Sequence, residues 1–135
     1  MEIAYQVEKD LSVVEFRDVL ARSTLGERRP IDDYERLEKM CKNADIMLTA
    51  RFEGKLIGIA RSISDFAFAT YLSDLAVDVE FQKLGIGKKL IAETKKLVQG
   101  KLILLSAPAT IEYYPKIGMK QFENSFYLDN VNDLK

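Results

Sequence analysis

The segment Gln82-Lys83-Leu84-Gly85-Ile86-Gly87-Lys88 has the residue types needed to face an anion. Glycines let a backbone turn tightly and let a ligand approach with no Cβ in the way. A helix is expected to start within the segment. The first amides of a helix lack internal partners and carry the positive end of its dipole. Each charge-assisted hydrogen bond to a phosphate contributes roughly 1.5–3 kcal/mol, and the dipole adds about 0.3–1 kcal/mol. Several converging amides can therefore hold a pyrophosphate without a large cationic cluster. Lys83 and Lys88 add charge at the rim.

Missing residues narrow the chemistry. A dinucleotide fingerprint needs a third glycine where Leu90 stands, and a Walker loop needs Gly-Lys-Ser/Thr where Gly87-Lys88-Lys89 stands. The chain has no histidine, so neither a Ser-His-Asp nor a Cys-His mechanism can be assembled from it. Cys41 is the only cysteine, which rules out an internal disulfide and points to a reduced compartment, the cytoplasm. Met1 to Tyr5 has no basic stretch leading into an apolar run, so no signal peptide is expected. Net charge is −1, from 20 Lys+Arg against 21 Asp+Glu. That balance creates no field to attract nucleic acid or an anionic membrane.

The elements around the loop follow from periodicity. A chain of 135 residues fits a single domain over 1–135. Ile3 to Val7 reads as a strand. Ser12 to Ala21 reads as a helix, with Val13, Phe16 and Leu20 on one stripe. Ser23 to Arg29 is a loop, and Pro30 suits the first turn of a second helix carrying Tyr34, Leu37 and Cys41. Asp45–Phe52 and Lys55–Ile63 form a hairpin about Glu53-Gly54. Thr70 to Val79 is the next strand; alternation puts Tyr71, Ser73, Leu75 and Val77 on one face and Leu72, Asp74 and Ala76 on the other. The helix after the loop shows Gly87, Leu90, Ile91, Thr94, Leu97 and Val98 at helical spacing, and Gly100 ends it. Lys101 to Ala107, apolar on both faces, predicts a central strand. Pro108 to Lys116 predicts a short helix, and Met119–Phe122 with Ser125–Leu128 a closing antiparallel pair. The fold class is mixed α/β: a mostly antiparallel central sheet with helices on both faces.

The loop resembles the [Gln/Arg]-x-x-Gly-x-[Gly/Ala] segment that holds the coenzyme A pyrophosphate in GNAT N-acetyltransferases. Leu75-Ala76-Val77 resembles that family's fourth strand, whose backbone pairs with the pantetheine arm. Tyr113-Tyr114-Pro115-Lys116-Ile117-Gly118-Met119 resembles its later Phe-Tyr-x-x-x-Gly-Phe segment. The resemblance is specific from Thr70 to Val98 and weaker elsewhere. It implies acetyl-CoA as acetyl donor, bound by Leu75, Ala76, Val77, Gln82, Lys83, Leu84, Gly85, Ile86, Gly87 and Lys88. It also implies an amine acceptor of unspecified identity, attacking directly in a ternary complex, and it is compatible with a homodimer. Ala107, Pro115 and Met119 depart from the family pattern; a coenzyme A sensor without catalysis is the alternative reading.

By the same resemblance Tyr114 is the acid that protonates the leaving thiolate, and Tyr71 falls where some members carry an acidic base. The base stays open among Tyr71, Asp74 and water, with Asp65 a further contributor; Asp74 as a structural partner is the plainer reading. Thr24, Arg28 and Arg29 border the acceptor side in similar proteins, though a solvated loop is the simpler expectation. Cys41 reads as a small core residue.

Overall fold

A computed structural model describes residues 1–135, which divide into two compact units, Met1–Leu105 and Ser106–Lys135. The first unit is built on a five-stranded sheet in the order β1 (Ile3–Val7), β2 (Ile46–Phe52), β3 (Lys55–Ser64), β4 (Ala69–Val77) and β5 (Lys101–Ile103). Neighbours are antiparallel except β4 and β5, which run parallel. Parallel strands need a crossover, and helix α3 (Ile86–Lys96) supplies it.

Two apolar clusters cover the two faces. On one, α1 (Val13–Arg22) and α2 (Tyr34–Lys42) set Phe16, Val19, Leu20 and Leu37 against Met47, Leu56, Ile59 and Ala76. On the other, α3 sets Ile86 and Leu90 against Ile46, Leu48, Ala50, Ala60 and Leu72. Gly58 lets α3 lie close to the sheet, since a Cβ there would stand 3.2 Å from Leu90 Cδ1. No helix is long and apolar enough to cross a membrane.

Helix starts obey their caps. Ser12 Oγ accepts from Glu15 N at 3.1 Å, so α1 begins at Val13. Asp33 accepts from Arg36 N at 3.1 Å, so α2 begins at Tyr34. Pro30 therefore lies ahead of the helix rather than in its first turn, and Tyr34 faces solvent instead of joining the buried stripe. Glu53 and Gly54 both adopt positive φ, 50° and 82°, as a tight hairpin turn of the primed type requires.

Three further expectations fail. β5 stops at Ile103 and sits at the sheet edge, pairing only with β4. Its apolar run suggested a central strand, but a central place requires a strand on both sides. Met119–Phe122 and Ser125–Leu128 form no strands, so no closing pair exists. Alternation along β4 is broken as well. Arg61 pairs with Asp74 but Ser62 pairs with Leu72, leaving Ser73 as a bulge. Leu72 therefore joins the α3 cluster with Leu75 and Val77. Tyr71 turns to the α1–α2 face that holds Asp74 and Ala76.

The second unit holds a 3₁₀ turn (Pro108–Thr110), helix α4 (Tyr113–Lys116) and a 3₁₀ turn at Val131–Asp133. Gly118, at φ 103°, closes α4: Met119 N donates to Tyr114 O at 3.0 Å and Gly118 N to Pro115 O at 3.1 Å. Pro115 is the third residue of this four-residue helix, where a backbone N–H would have had no intrahelical acceptor, so it does not kink it.

Candidate active site

The loop between β4 and α3 is fixed from both ends. At its start Asp78 Oδ1 accepts from Glu80 N at 2.9 Å while Arg22 Nη1 donates to Oδ2 at 2.5 Å. Burial pushes the Asp78 carboxyl up, but the Glu80 amide and the Arg22 guanidinium outweigh it and hold it below its ordinary value. Gln82 Nε2 then donates to Val77 O at 3.0 Å, tying the loop back to the end of β4. Gln82 is thus a brace for the loop. Lys83 and Gly85 take positive φ, 65° and 83°.

Gly85 is the N-cap of α3, and a glycine is what that left-handed backbone favours. Space is open around it: a Cβ there would meet nothing within 4 Å. No side chain caps the helix, and no acidic residue stands in its first turn. The amides of Ile86, Gly87 and Lys88 thus present an unneutralised positive end. Gly87 lies inside the helix without positive φ, so its contribution is the missing side chain rather than a turn. Lys83 and Lys88 are exposed and form no ion pair, whereas Lys89 binds Glu93 at 3.0 Å.

β4 offers a second binding element. Its β3 side is paired along Gly58–Ala60 with Val77, Ala76 and Leu75. Its other side is paired to β5 only at Ala69, Thr70 and Tyr71. From Ser73 to Val77 that edge pairs with no strand, and Val77 O is taken by Gln82 Nε2, which leaves the other backbone groups directed to it open to an extended ligand. The chain runs from this edge of β4 through Asp78 and a 3₁₀ turn (Val79–Phe81) into the braced loop.

Asp74 is not available as a base. It is fully buried, and its carboxylate receives the Nε of both Arg29 and Arg61. Arg29 Nη2 also donates to Ser73 O at 2.7 Å, and Arg61 Nη2 to Ser73 Oγ at 2.9 Å. The cluster pins the segment between α1 and α2 onto the bulge of β4. Arg29 is therefore no solvated loop residue, while Thr24 and Arg28 remain exposed. The signal for this cluster lay in the sequence: Arg61 and Asp74 are opposite charges inside two apolar, strand-like runs. Such charges seldom enter a sheet unpaired.

Asp65 is equally engaged. Its Oδ1 accepts from Ala67, Phe68 and Ala69 N at 2.9, 2.8 and 3.1 Å, and these amides, that of Phe68 foremost, hold the carboxyl below its ordinary value. Tyr71 is 38% exposed beside its cross-strand partner Ile63. Cys41 donates to Leu11 O at 3.3 Å within the core, and burial pushes its thiol up. In the second unit, burial pushes the Tyr114 phenol up, opposed by a hydrogen bond with the Thr110 side chain, with Tyr113 adding to the rise. The rings of Tyr113 and Tyr114 meet edge to face at 5.2 Å.

Comparison with known proteins agrees with this geometry. The model of the acetyltransferase (GNAT) family matches residues 13–119. An uncharacterized N-acetyltransferase of Pyropia yezoensis is 26% identical over 137 residues, covering 83% of this chain and 76% of its own. The fold is shared with a protein of unknown function from methicillin-resistant Staphylococcus aureus, a probable acetyltransferase, at TM-score 0.78 and 19% identity, covering 96% of this chain and 100% of that one. It is shared too with AAC(6')-Iy in complex with the bisubstrate analog CoA-S-monomethyl-acetylneamine, at TM-score 0.71 and 15% identity, covering 96% and 99%.

Proposed function

Because the chain belongs to the acetyltransferase (GNAT) family and is an acyltransferase, we propose that it moves the acetyl group of acetyl-CoA to a primary amine by direct attack in a ternary complex. The observation that carries this reading is the uncapped start of α3 behind Gly85, continuous with the open edge of β4. The residues fit the donor. Amides of Ile86, Gly87 and Lys88 face a pyrophosphate, Lys83 and Lys88 add charge, and the backbone of Leu75, Ala76 and Val77 accommodates an extended amide-bearing arm. Acetyl-CoA supplies an acetyl thioester, a carbonyl open to a nitrogen nucleophile.

The chain's own part is to orient the reactants and manage protons. An amine of lysine-like pKa, about 10.4, costs roughly 4–5 kcal/mol to deprotonate at pH 7. Asp74 and Asp65 are both engaged, so water beside the exposed Tyr71 takes that proton. The amine nitrogen bonds to the carbonyl carbon as the carbon–sulfur bond breaks. Tyr114 gives its proton to the departing thiolate, a role that follows from family resemblance. A phenol raised by burial stays protonated at neutral pH, as an acid must.

Incubating the full chain with acetyl-CoA and a panel of primary amines tests the reading, with free thiol and acetylated amine measured together. Stoichiometric thiol and N-acetyl product are expected. Tight coenzyme A binding with no acetylated amine across the panel would instead identify a sensor.

A further inference from the structure

The acceptor's chemistry can be read one step further, granted the donor placement proposed above. With the pyrophosphate at Gly85 and the arm along Leu75–Val77, the thioester end lies toward Ser73. The rest of β4 toward its N-terminus then borders the incoming amine. On the α1–α2 face, the pair Arg61 and Asp74 is covered by Arg29. The next cross-strand pair, Ile63 and Tyr71, is uncovered, at 42% and 38% exposed. Beyond it the β3–β4 turn presents Phe66, 47% exposed.

Hydrogen bonds hold the turn that carries Phe66. Phe66 has φ 60°, a left-handed backbone that a bulky residue seldom adopts. It is held there by its own N–H on Ser64 Oγ at 2.9 Å and by Asp65, which gathers the three amides that follow. The exposed ring is thus carried on a backbone held in a conformation that a bulky residue seldom adopts.

Charge selects among apolar amines. All three nitrogens of the buried Arg61 donate to Asp74, Ser73 and Met40 O, while Arg29 spends Nε and Nη2 on Asp74 and Ser73 and turns Nη1 to Arg28 O at the surface. Arg61 is thus closed to a carboxylate on a substrate, and the two Arg29 nitrogens nearest β4 are already engaged. Two carboxylates flank the strip instead: Asp45, which accepts from Ser64 N at 2.8 Å, and Asp65. Neither has a Lys or Arg partner within ion-pair distance. We infer that the acceptor is a primary amine carried on an aromatic or similarly bulky apolar group and free of any carboxylate, its apolar part lying on Ile63, Tyr71 and Phe66.

The test compares 2-phenylethylamine, putrescine and phenylalanine as acceptors for the full chain, following acetylated product by mass. The expected kcat/KM for 2-phenylethylamine exceeds both others by about tenfold or more, the discrimination an apolar contact supplies. Ile63→Thr with Phe66→Asn removes the apolar surface while keeping β-branching and a residue that tolerates the left-handed turn. That variant should raise KM for 2-phenylethylamine several-fold and leave coenzyme A affinity by calorimetry unchanged. Equal or better use of putrescine or phenylalanine overturns the inference and leaves acetyl transfer standing. Coenzyme A binding with no amine acetylated overturns both.

Discussion

Replacing Asp74 by asparagine separates a structural carboxylate from a catalytic one. The side chain is fully buried, and both arginines that share it rely on it for their counter-charge. Arg61 is itself buried, so the variant leaves a guanidinium in the sheet with no anion. Losing one partner of a buried pair costs about 3–5 kcal/mol, because the remaining charge is uncompensated. Arg29 adds less, being partly open to solvent. A domain of this size has a total stability of about 5–15 kcal/mol, so the variant keeps a thin margin. With a urea slope near 2 kcal/mol/M, the midpoint should fall by roughly 1.5–2.5 M. Urea titration followed by circular dichroism measures it. Asp74→Leu with Arg61→Leu should recover much of the loss, since apolar replacements of a buried pair are often neutral. An Asp74→Asn protein with unchanged midpoint and lost turnover would refute the reasoning and return Asp74 to the chemistry as a base.

The Gly87→Glu variant, tested by calorimetry, should bind coenzyme A far more weakly, because it sets a carboxylate in the first turn of an uncapped helix whose amides must meet phosphate; unchanged affinity removes the loop from the donor site. Tyr114→Phe should lower turnover by roughly 10²–10⁴-fold for a full general-acid role, with acetyl-CoA affinity little changed, whereas Tyr113→Phe stays near wild type. Equal turnover of wild type and Tyr114→Phe where chemistry limits the rate excludes that phenol. Glu8 concerns stability: hydrogen bonds from Arg51 hold its carboxyl down from 4.5 to about 2 against the opposing effect of burial, with Thr49 assisting. A depressed carboxylate stabilises the fold fully above its unfolded value and loses that contribution as pH falls through its folded value. Wild type should therefore lose about 1–2 kcal/mol between pH 4.5 and 2 from this group after allowance for solvent screening, and Glu8→Gln should flatten that limb in urea titrations at each pH.

The loop between β4 and α3 was legible because its determinants are local. A glycine at the cap, a glutamine three residues before it and an amphipathic helix behind it all fall within one turn of one another in sequence. Gln82 Nε2 braces the loop on Val77 O, and the loop stands between strand and helix as the motif predicts. The buried cluster on β4 was harder to read, since it rests on contacts 12 to 45 residues apart: Arg29 on Asp74, Arg61 on Asp74, Arg61 on Ser73. Periodicity carries no information about such pairs.

The bulge at Ser73 shows how one residue can reassign a face. Strict alternation groups Tyr71 with Ser73 and Leu75, on the side that packs against α3. One extra residue in the register sends Leu72 into that core and delivers Tyr71 to the α1–α2 face. Energetics gives the bulge its reason. Leu72 is fully buried among apolar neighbours, a gain of about 1.5–3 kcal/mol over exposure, while the half-exposed Tyr71 keeps its hydroxyl wet. The unpaired backbone that a bulge creates would carry a penalty if left bare, and Arg29 meets it directly by donating to Ser73 O. The same guanidinium that neutralises Asp74 therefore makes the bulge tolerable. The bulge in turn gives the exposed end of β4 an apolar surface on the α1–α2 face. The two approaches proposed above use different sides of one strand because Ser73 stands unpaired between the pairs Arg61–Asp74 and Ser62–Leu72.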